Sequence, residues 1–441
     1  MKSYRLIFSL LAVTSCALAQ PAPTQPMPDT LDLPTALRFA LDNNFTIRQA
    51  RERIKQQDGV VVEVKAKSIP NVSASGAYQY NEKEISSYVP PSNRAWTLSL
   101  TATQAIYAGG GVRSAIKSTE LTREAAMLEL KGVVNDSLLD VRTKFYDVLL
   151  AREKIKVQES NVDLLKQQLK NVTDRFDAGT VSAFEKLRAE VALANAQVPL
   201  ISARNAYRLA AEALRQALGF ATSTQESLRK LPDFVGTLDF TPVNFELQAS
   251  LDSARATRPE LARLSKLADA RDASITTARS NYYPNLSAVG GWQLRKGVTD
   301  NFGDSRDGFL IGLQSQWNIF DGAATSGRVA QARSALEQSR LTLGEATLSV
   351  DVEVRRALSS LQEATELADA SQKVVAQAEE SLRLANARYS AGTATQLDVL
   401  QTQVDLTTAR TNQIQAYYSY NVAVARVRKA IGLPDSLMAA N

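Results

Sequence analysis

The amino-acid sequence predicts an α+β membrane fold, in which short amphipathic strands and very long helices alternate and the whole pattern occurs twice. Three observations carry this. Four segments of about ten residues alternate apolar with small or polar side chains, the period of a strand with two unlike faces. Two proline-free runs, Val112 to Asp177 and Ala324 to Ser390, read as helix and far exceed the ordinary globular helix of about 20 residues. Finally, segments recur in order at an offset of 213 or 214 residues. IPNVSASGAYQY (Ile69 to Tyr80) returns as YPNLSAVGGWQL (Tyr283 to Leu294), and QAIYAGGGVRSA (Gln104 to Ala115) more loosely as WNIFDGAATSGR (Trp317 to Arg328). RFDAGTVSAFEKL (Arg175 to Leu187) returns as RYSAGTATQLDVL (Arg388 to Leu400), and ALRQALGF (Ala213 to Phe220) as RVRKAIGL (Arg426 to Leu433). The expected organisation is a signal peptide at 1–19, a first repeat at 20–220, a linker at 221–246, a second repeat at 247–433 and a tail at 434–441.

The N-terminus has the three parts of a secretory signal: basic Lys2 and Arg5, an apolar core from Leu6 to Val13, and the small-residue site Ala17-Leu18-Ala19. Val13-Thr14-Ser15-Cys16 also fits a bacterial lipobox, which would make Cys16 an acylated first residue. Cys16 is the one cysteine, so no disulfide is available in either case. No later apolar run approaches the roughly 20 residues of a transmembrane helix. An exported chain of this kind that meets a membrane again must do so with strands.

Composition narrows the chemistry. There is no histidine, which removes the commonest general base and metal ligand and with it Ser-His-Asp, Cys-His and HExxH sites. No GxxxxGK[ST] phosphate loop is found. No catalytic, metal or cofactor residues are therefore expected, and the chain does not read as an enzyme. The 51 Lys and Arg residues against 46 Asp and Glu are mixed along the chain, so no nucleic-acid footprint is expected.

Each repeat begins with a helical segment, Leu33 to Ser68 and Leu247 to Asn281, ended by Pro70 and Pro284. The strands follow. Val72, Ala74, Gly76, Tyr78 and Tyr80 share one face of the first; Trp96, Leu98, Leu100 and Ala102 of the second. Leu286, Ala288, Gly290, Trp292 and Leu294 share a face of the third, and Phe309, Ile311, Leu313, Ser315, Trp317 and Ile319 of the fourth. Long polar loops, Asn81 to Arg94 and Arg295 to Gly308, join them in pairs. Two hairpins packed on a soluble core would explain the alternation. The strand length, the aromatics near strand ends and the long loops on one side favour a membrane barrel, with Trp96, Leu98, Leu100, Trp292, Phe309, Ile311, Leu313 and Trp317 facing lipid.

Four strands cannot close a barrel, for which about eight is the practical minimum, and an open edge in lipid leaves backbone groups unsatisfied. Three copies would make a trimeric 12-stranded barrel. Two copies would also close, but side chains would nearly fill an eight-stranded interior.

After each hairpin a glycine stop (Gly109 to Gly111; Gly322) precedes the long helical run, roughly 100 Å at 1.5 Å per residue. Leu138, Val141, Phe145, Val148 and Leu149 mark one apolar face. Each run turns at Ala-Gly-Thr and returns as a shorter helix, Ala183 to Leu218, which Pro199 could kink, and Gln396 to Ile431. Gly179 and Gly392 suit left-handed C-cap positions. Ser182-x-x-Glu185 and Thr395-x-x-Asp398 fit a capping box. The Pro-, Gly-, Ser- and Thr-rich linker is expected to form an irregular belt around the helices.

Signal peptide, helix, P-N-[VL]-S hairpin, glycine stop, long helix, [FY]-x-A-G-T turn and returning helix, all duplicated, resemble the TolC-like outer-membrane efflux proteins over essentially the whole mature chain. The resemblance implies a homotrimer: a barrel in outer-membrane lipid of a Gram-negative cell, continued by an α-helical periplasmic barrel. It implies a passive exit duct of a tripartite efflux or type I secretion system, served by a periplasmic adaptor and an inner-membrane pump. It places a pore constriction at Asp398, with Glu185 as its first-repeat equivalent. Gln401 stands where the family's best-known member carries a second aspartate, and Ala394 where that member has an arginine after the turn. Adaptor docking and gating are implied at the helix-hairpin tips, Phe176, Gly179, Thr180, Tyr389, Gly392 and Thr393. Without the resemblance, an exported coiled-coil structural or adhesion protein lacking a pore also accounts for the long helices, and leaves the amphipathic hairpins without a purpose.

Overall fold

A computed structural model describes residues 29–80, 82, 93–220, 232–297 and 301–433. The expected signal peptide, Cys16, most of the first hairpin loop, the start of the linker and the tail lie outside the described residues.

The chain runs β1 (Thr30–Leu31), α1 (Leu33–Asn43), α2 (Phe45–Ala66), β2 (Asn71–Tyr80), β3 (Arg94–Ala108), α3 (Gly111–Asp177), α4 (Ala183–Leu218), β4 (Asp233–Phe234), α5 (Leu247–Thr257), α6 (Pro259–Arg279), β5 (Asn285–Lys296), β6 (Ser305–Gln316), α7 (Ala324–Ser390) and α8 (Gln396–Ile431). The two long helices have 67 residues each and the two returning helices 36 each. α4 continues through Pro199. Among the described residues no helix is long and apolar enough to cross a membrane.

The opening helix of each half departs from the sequence expectation. Each is two helices, broken at Asn44 and at Arg258. The Asn44 side chain accepts from the backbone N–H of Thr46 and of Ile47, so it caps α2 while ending α1. Pro259 occupies the first position of α6, where its missing N–H costs nothing. Both breaks are buried against the end of a returning helix. Asn44 Nδ2 donates to Ala217 O at 2.7 Å, and Arg258 Nη1 donates to Ala430 O at 3.2 Å. The Arg258 guanidinium also meets Glu260 at 3.1 Å and Glu353 at 2.9 Å, and Lys429 joins Glu353 to Asp136.

Helix pairing makes the walls. α3 packs on α4 and α6, and α7 on α8 and α6. The largest core gathers Leu37 and Ile47 with Leu138, Val141, Phe145, Val148 and Leu149 of the apolar face predicted in α3, and with Leu214 and Leu218 of α4. The linker closes over this core. β4 pairs in parallel with β1, Phe234 is fully buried against Phe145, and Arg152 donates to the carbonyls of Phe234 and Gly236. Further along, Phe240 packs on Tyr417 and Tyr420, and Asn421 donates to Asp239 O at 2.9 Å. The described linker residues thus lie across both α3 and α8.

The sheet is antiparallel in the order β2-β3-β5-β6. Its register extends both hairpins beyond the predicted strands. Arg295↔Arg306 and Lys296↔Ser305 continue the β5–β6 ladder, so the second loop is 297–304 rather than Arg295 to Gly308. Polar residues pair as well as apolar ones in a ladder, because the backbone makes its hydrogen bonds. β3 runs on to Ala108 through an irregularity between Ala105 and Tyr107. At the other end β6 stops at Gln316, so Trp317 lies just beyond it, with its indole N–H donating to Tyr282 O at 3.1 Å.

Candidate functional site

The sheet and the helix tips are the two places where sequence-predicted residues converge. In the sheet, register joins the four predicted apolar rows into one face. Ala74, Leu100, Trp292 and Phe309 are consecutive partners across the strands, as are Val72, Ala102, Gly290 and Ile311. Gly76, Leu98 and Leu294 form the next row out. The alternate positions make a polar face whose rows include Ser75-Ser99-Gln293 and Thr103-Val289-Gly312. There the Ser75 and Ser99 hydroxyls bond at 2.7 Å.

The apolar face is bare on a single chain. Phe309 is 87% and Ile311 90% exposed, against about half for Leu98 and Leu100. Leu313 and Trp317 are exposed as well, and Trp292 is half-buried with its indole N–H donating to Asp307 at 3.3 Å. Trp96 is partly covered. The second hairpin loop brings Phe302 to 6.4 Å from both the Trp96 and Tyr78 rings, and Phe302 O accepts from the Trp96 indole N–H.

At the tips, both Ala-Gly-Thr turns share one backbone device. Gly179 and Gly392 have φ of 72° and 75°. The Gly179 N–H donates to Phe176 O and the Thr180 N–H to Arg175 O; Gly392 and Thr393 repeat this with Tyr389 O and Arg388 O. This double closure ends a helix sharply. The Thr180 and Thr393 hydroxyls donate to the same Arg175 and Arg388 carbonyls, which accounts for threonine after the glycine.

The helix restarts differ. Thr395 and Asp398 form a complete capping box. Asp398 N–H donates to Thr395 Oγ1 at 3.3 Å, and Thr395 N–H donates to Asp398 Oδ2 at 2.8 Å. The Asp398 carboxylate is exposed, and the backbone and hydroxyl donors of Thr395 hold it below the usual range. At the first tip the Glu185 N–H donates to Ser182 at 3.3 Å without the reciprocal bond. Gln401, one turn beyond the second tip, donates to Asp405 at 3.0 Å.

The two tips are tied together within the chain. The Arg175 guanidinium sits over the Tyr389 ring at 4.9 Å, and buried Gln396 donates to Glu185 O at 3.1 Å. The Tyr389 hydroxyl is buried without a hydrogen-bond partner among the described residues. Burial first, then the Glu185 charge, raises its ionisation above the usual phenol range. Behind the tips, Gln403 donates to Asn161, and Leu400 packs on Val162, Leu165, Ala196 and Leu200. Lys186 lies over Phe176 at 5.2 Å. Sequence reading singled out neither Arg175 nor Gln396. Their signal was the basic and polar residues flanking the turns, which alone resemble any solvated helix end.

Among the described residues, no group of three or more acidic, histidine or cysteine side chains could hold a metal ion.

Comparison with known proteins agrees with these features. The family model described as "Outer membrane efflux protein" matches residues 36–220 and again 250–433. The cobalt-zinc-cadmium resistance protein CzcC of Cupriavidus metallidurans is 26% identical over 86% of this chain and 85% of its own length. The outer membrane protein TolC of Escherichia coli is 25% identical over 84% of this chain and 76% of its own. The Campylobacter jejuni CmeC outer membrane channel superposes with a TM-score of 0.78 at 16% identity, covering 92% of this chain and 88% of that one, which establishes a shared fold.

Proposed function

The chain belongs to the outer membrane efflux protein family, and from that premise we propose that it is the outer-membrane exit duct of a tripartite efflux or type I secretion system. The observation that carries this is the sheet register. One face of β2-β3-β5-β6 is apolar and the other polar, and the same strands lead directly into helices of 67 residues. Placed in lipid, the apolar face meets the acyl chains while the polar face lines water.

β2 and β6 are the sheet's edges, and they run in opposite directions because the strands alternate and their number is even. A neighbour's β2 can therefore pair with β6 in the same antiparallel sense. Three copies would close a barrel of twelve strands, leaving no edge in lipid. The recurrence of helix lengths and of the breaks at Asn44 and Arg258 supports an internal two-fold repeat, which makes the trimer quasi-six-fold. α3, α4, α7 and α8 of each copy would build the periplasmic tunnel.

Conduction is passive in this reading, with energy from an inner-membrane pump acting through a periplasmic adaptor on the tips. Asp398 is proposed to face the tunnel axis near its inner end, with Glu185 and Gln401 beside it. The Arg175–Tyr389 contact and the Gln396–Glu185 bond would hold the paired hairpins in the closed arrangement. Reconstitution of the purified protein in a planar bilayer tests the duct: discrete trimer-sized conductances are expected. A protein that forms trimers but never conducts, even with the tips loosened by Tyr389→Ala, would instead fit a structural or adhesive role.

A further inference from the structure

We infer that Arg295 and Arg306 form an anion-selecting element at the outward mouth of the tube, one that draws in multivalent oxyanions from solution; this rests on the duct reading. The two residues are direct cross-strand partners on β5 and β6, in a row that continues through Thr97 and Ala77. That row belongs to the polar face. Among the described strand residues it holds the only charged side chains on that face, whose other rows carry serine, threonine, glutamine, asparagine, glycine and a few apolar residues.

The pair has no structural explanation. Both side chains are exposed, so neither fills a core. Directly opposed residues have Cα atoms about 4.5–5.5 Å apart, and like charges in that position destabilise a sheet. Neither arginine makes an ion pair with a described residue. Two carboxylates of the same hairpin are turned elsewhere. Asp307 is on the apolar face accepting from Trp292, and Asp304 packs against Gly297 within the loop. By the sequence offset, the corresponding residues of the first repeat are the uncharged Asn81 and Asn93.

Position makes the charge consequential. The strand ends at Asn285 and Gln316 lead into α6 and α7, so Arg295 and Arg306 sit at the opposite end, beside the hairpin loop. In the three-copy barrel this places three arginine pairs around a mouth whose wall is otherwise uncharged along its strands. Rings of basic side chains favour anions in pores, and low-dielectric walls focus their field. Paired planar guanidiniums match phosphate-like oxyanions better than single point charges do. The polar face is turned from lipid, so the ligand is a soluble anion rather than a lipid headgroup.

The test is planar-bilayer recording of the full-length protein and of an Arg295→Gln/Arg306→Gln variant under a potassium chloride gradient. The chloride-to-potassium permeability ratio should fall by at least about threefold in the variant. Tripolyphosphate added on the hairpin side should block the unmodified protein, relieved by high salt, and should not block the variant. Arg94→Gln, on the apolar face, should change neither. A conducting variant with an unchanged ratio and unchanged block would overturn the arginine pair and leave the duct standing. Absence of conductance from the unmodified protein and every variant would overturn the duct, and this inference with it.

Discussion

Asn44 and Arg258, 214 positions apart, make the same contact with unlike chemistry: each donates to the last-turn carbonyl of a returning helix, Ala217 for one and Ala430 for the other. The first is a neutral cap that satisfies itself with one amide. The second is a buried cation that needs Glu260 and Glu353 to be tolerated.

Both contacts should matter to stability. Asn44→Ala removes a cap and a buried bond, and Arg258→Ala leaves Glu353 only Lys429. Each is expected to cost about 1–3 kcal/mol, read as a lowered unfolding midpoint in detergent at fixed protein concentration. A midpoint unmoved by either substitution would remove these breaks from the fold's support.

The charged version brings a pH dependence. Burial opposes ionisation of Glu353, but Arg258 and Lys429 outweigh it and hold the carboxyl below its usual range. A carboxyl so depressed contributes stability that is complete above its unfolded value of about 4.3 and disappears as pH falls through the folded value. The melting midpoint should therefore carry this contribution in full above about pH 6 and lose it below about pH 4. Arg258→Ala should flatten that acidic limb.

Backbone strain separates four positions. Ala323 holds φ of 68°, the left-handed setting that Gly110 takes before the other long helix. Ala323→Gly should stabilise by about 0.5–1.5 kcal/mol. Gly179→Ala meets open space and should cost about 1–2 kcal/mol from φ alone. Gly219→Ala and Gly432→Ala also collide with Asn43 O and Thr257 Oγ1, so they should cost more than Gly179→Ala in the same melt series.

Charge and cap at Asp398 can be pulled apart. Asp398→Asn keeps an acceptor for the Thr395 N–H but removes the anion; Asp398→Ala removes both. If Asp398 faces the tunnel axis, both variants should lose block by a trivalent lanthanide ion, while only alanine should cost the tip about 0.5–2 kcal/mol of cap stability. Undiminished block in the asparagine variant would move the constriction elsewhere.

The two sheet faces should respond oppositely to the same residue. Ile311→Lys puts a charge on the apolar face and is expected to cost about 2–4 kcal/mol near the membrane midplane, while Gln314→Lys on the polar face should be near neutral. The readout is the yield of heat-resistant oligomer in outer-membrane fractions. Equal yields would mean that the face assignment is wrong.

Periodicity made most of this legible. The long helices need only proline-free amphipathic sequence, and both returning helices match their expected bounds. The breaks at Asn44 and Arg258 were hidden because apolar spacing continues across them; the asparagine before Phe45 and the Arg258-Pro259 pair were the available signs. Strand ends were harder, since a ladder extends on backbone bonds that carry no side-chain pattern. At the tips, both glycine turns could be read from sequence. The Arg175–Tyr389 contact could not, because it joins helices 214 residues apart. Which carboxylate completes its cap depends on where each side chain finds a partner, which spacing does not record.

The open margins at β2 and β6 also bear on how assembly proceeds. One copy has two unpaired margins, and so does an arc of two copies. If three copies close the proposed ring, only the addition that completes it removes both together. Partial rings would keep two unpaired margins that water must satisfy, and insertion into lipid would be favoured only once the circle is whole. In such an assembly, concentration near the membrane, rather than the affinity of any one seam, should govern how fast ducts appear.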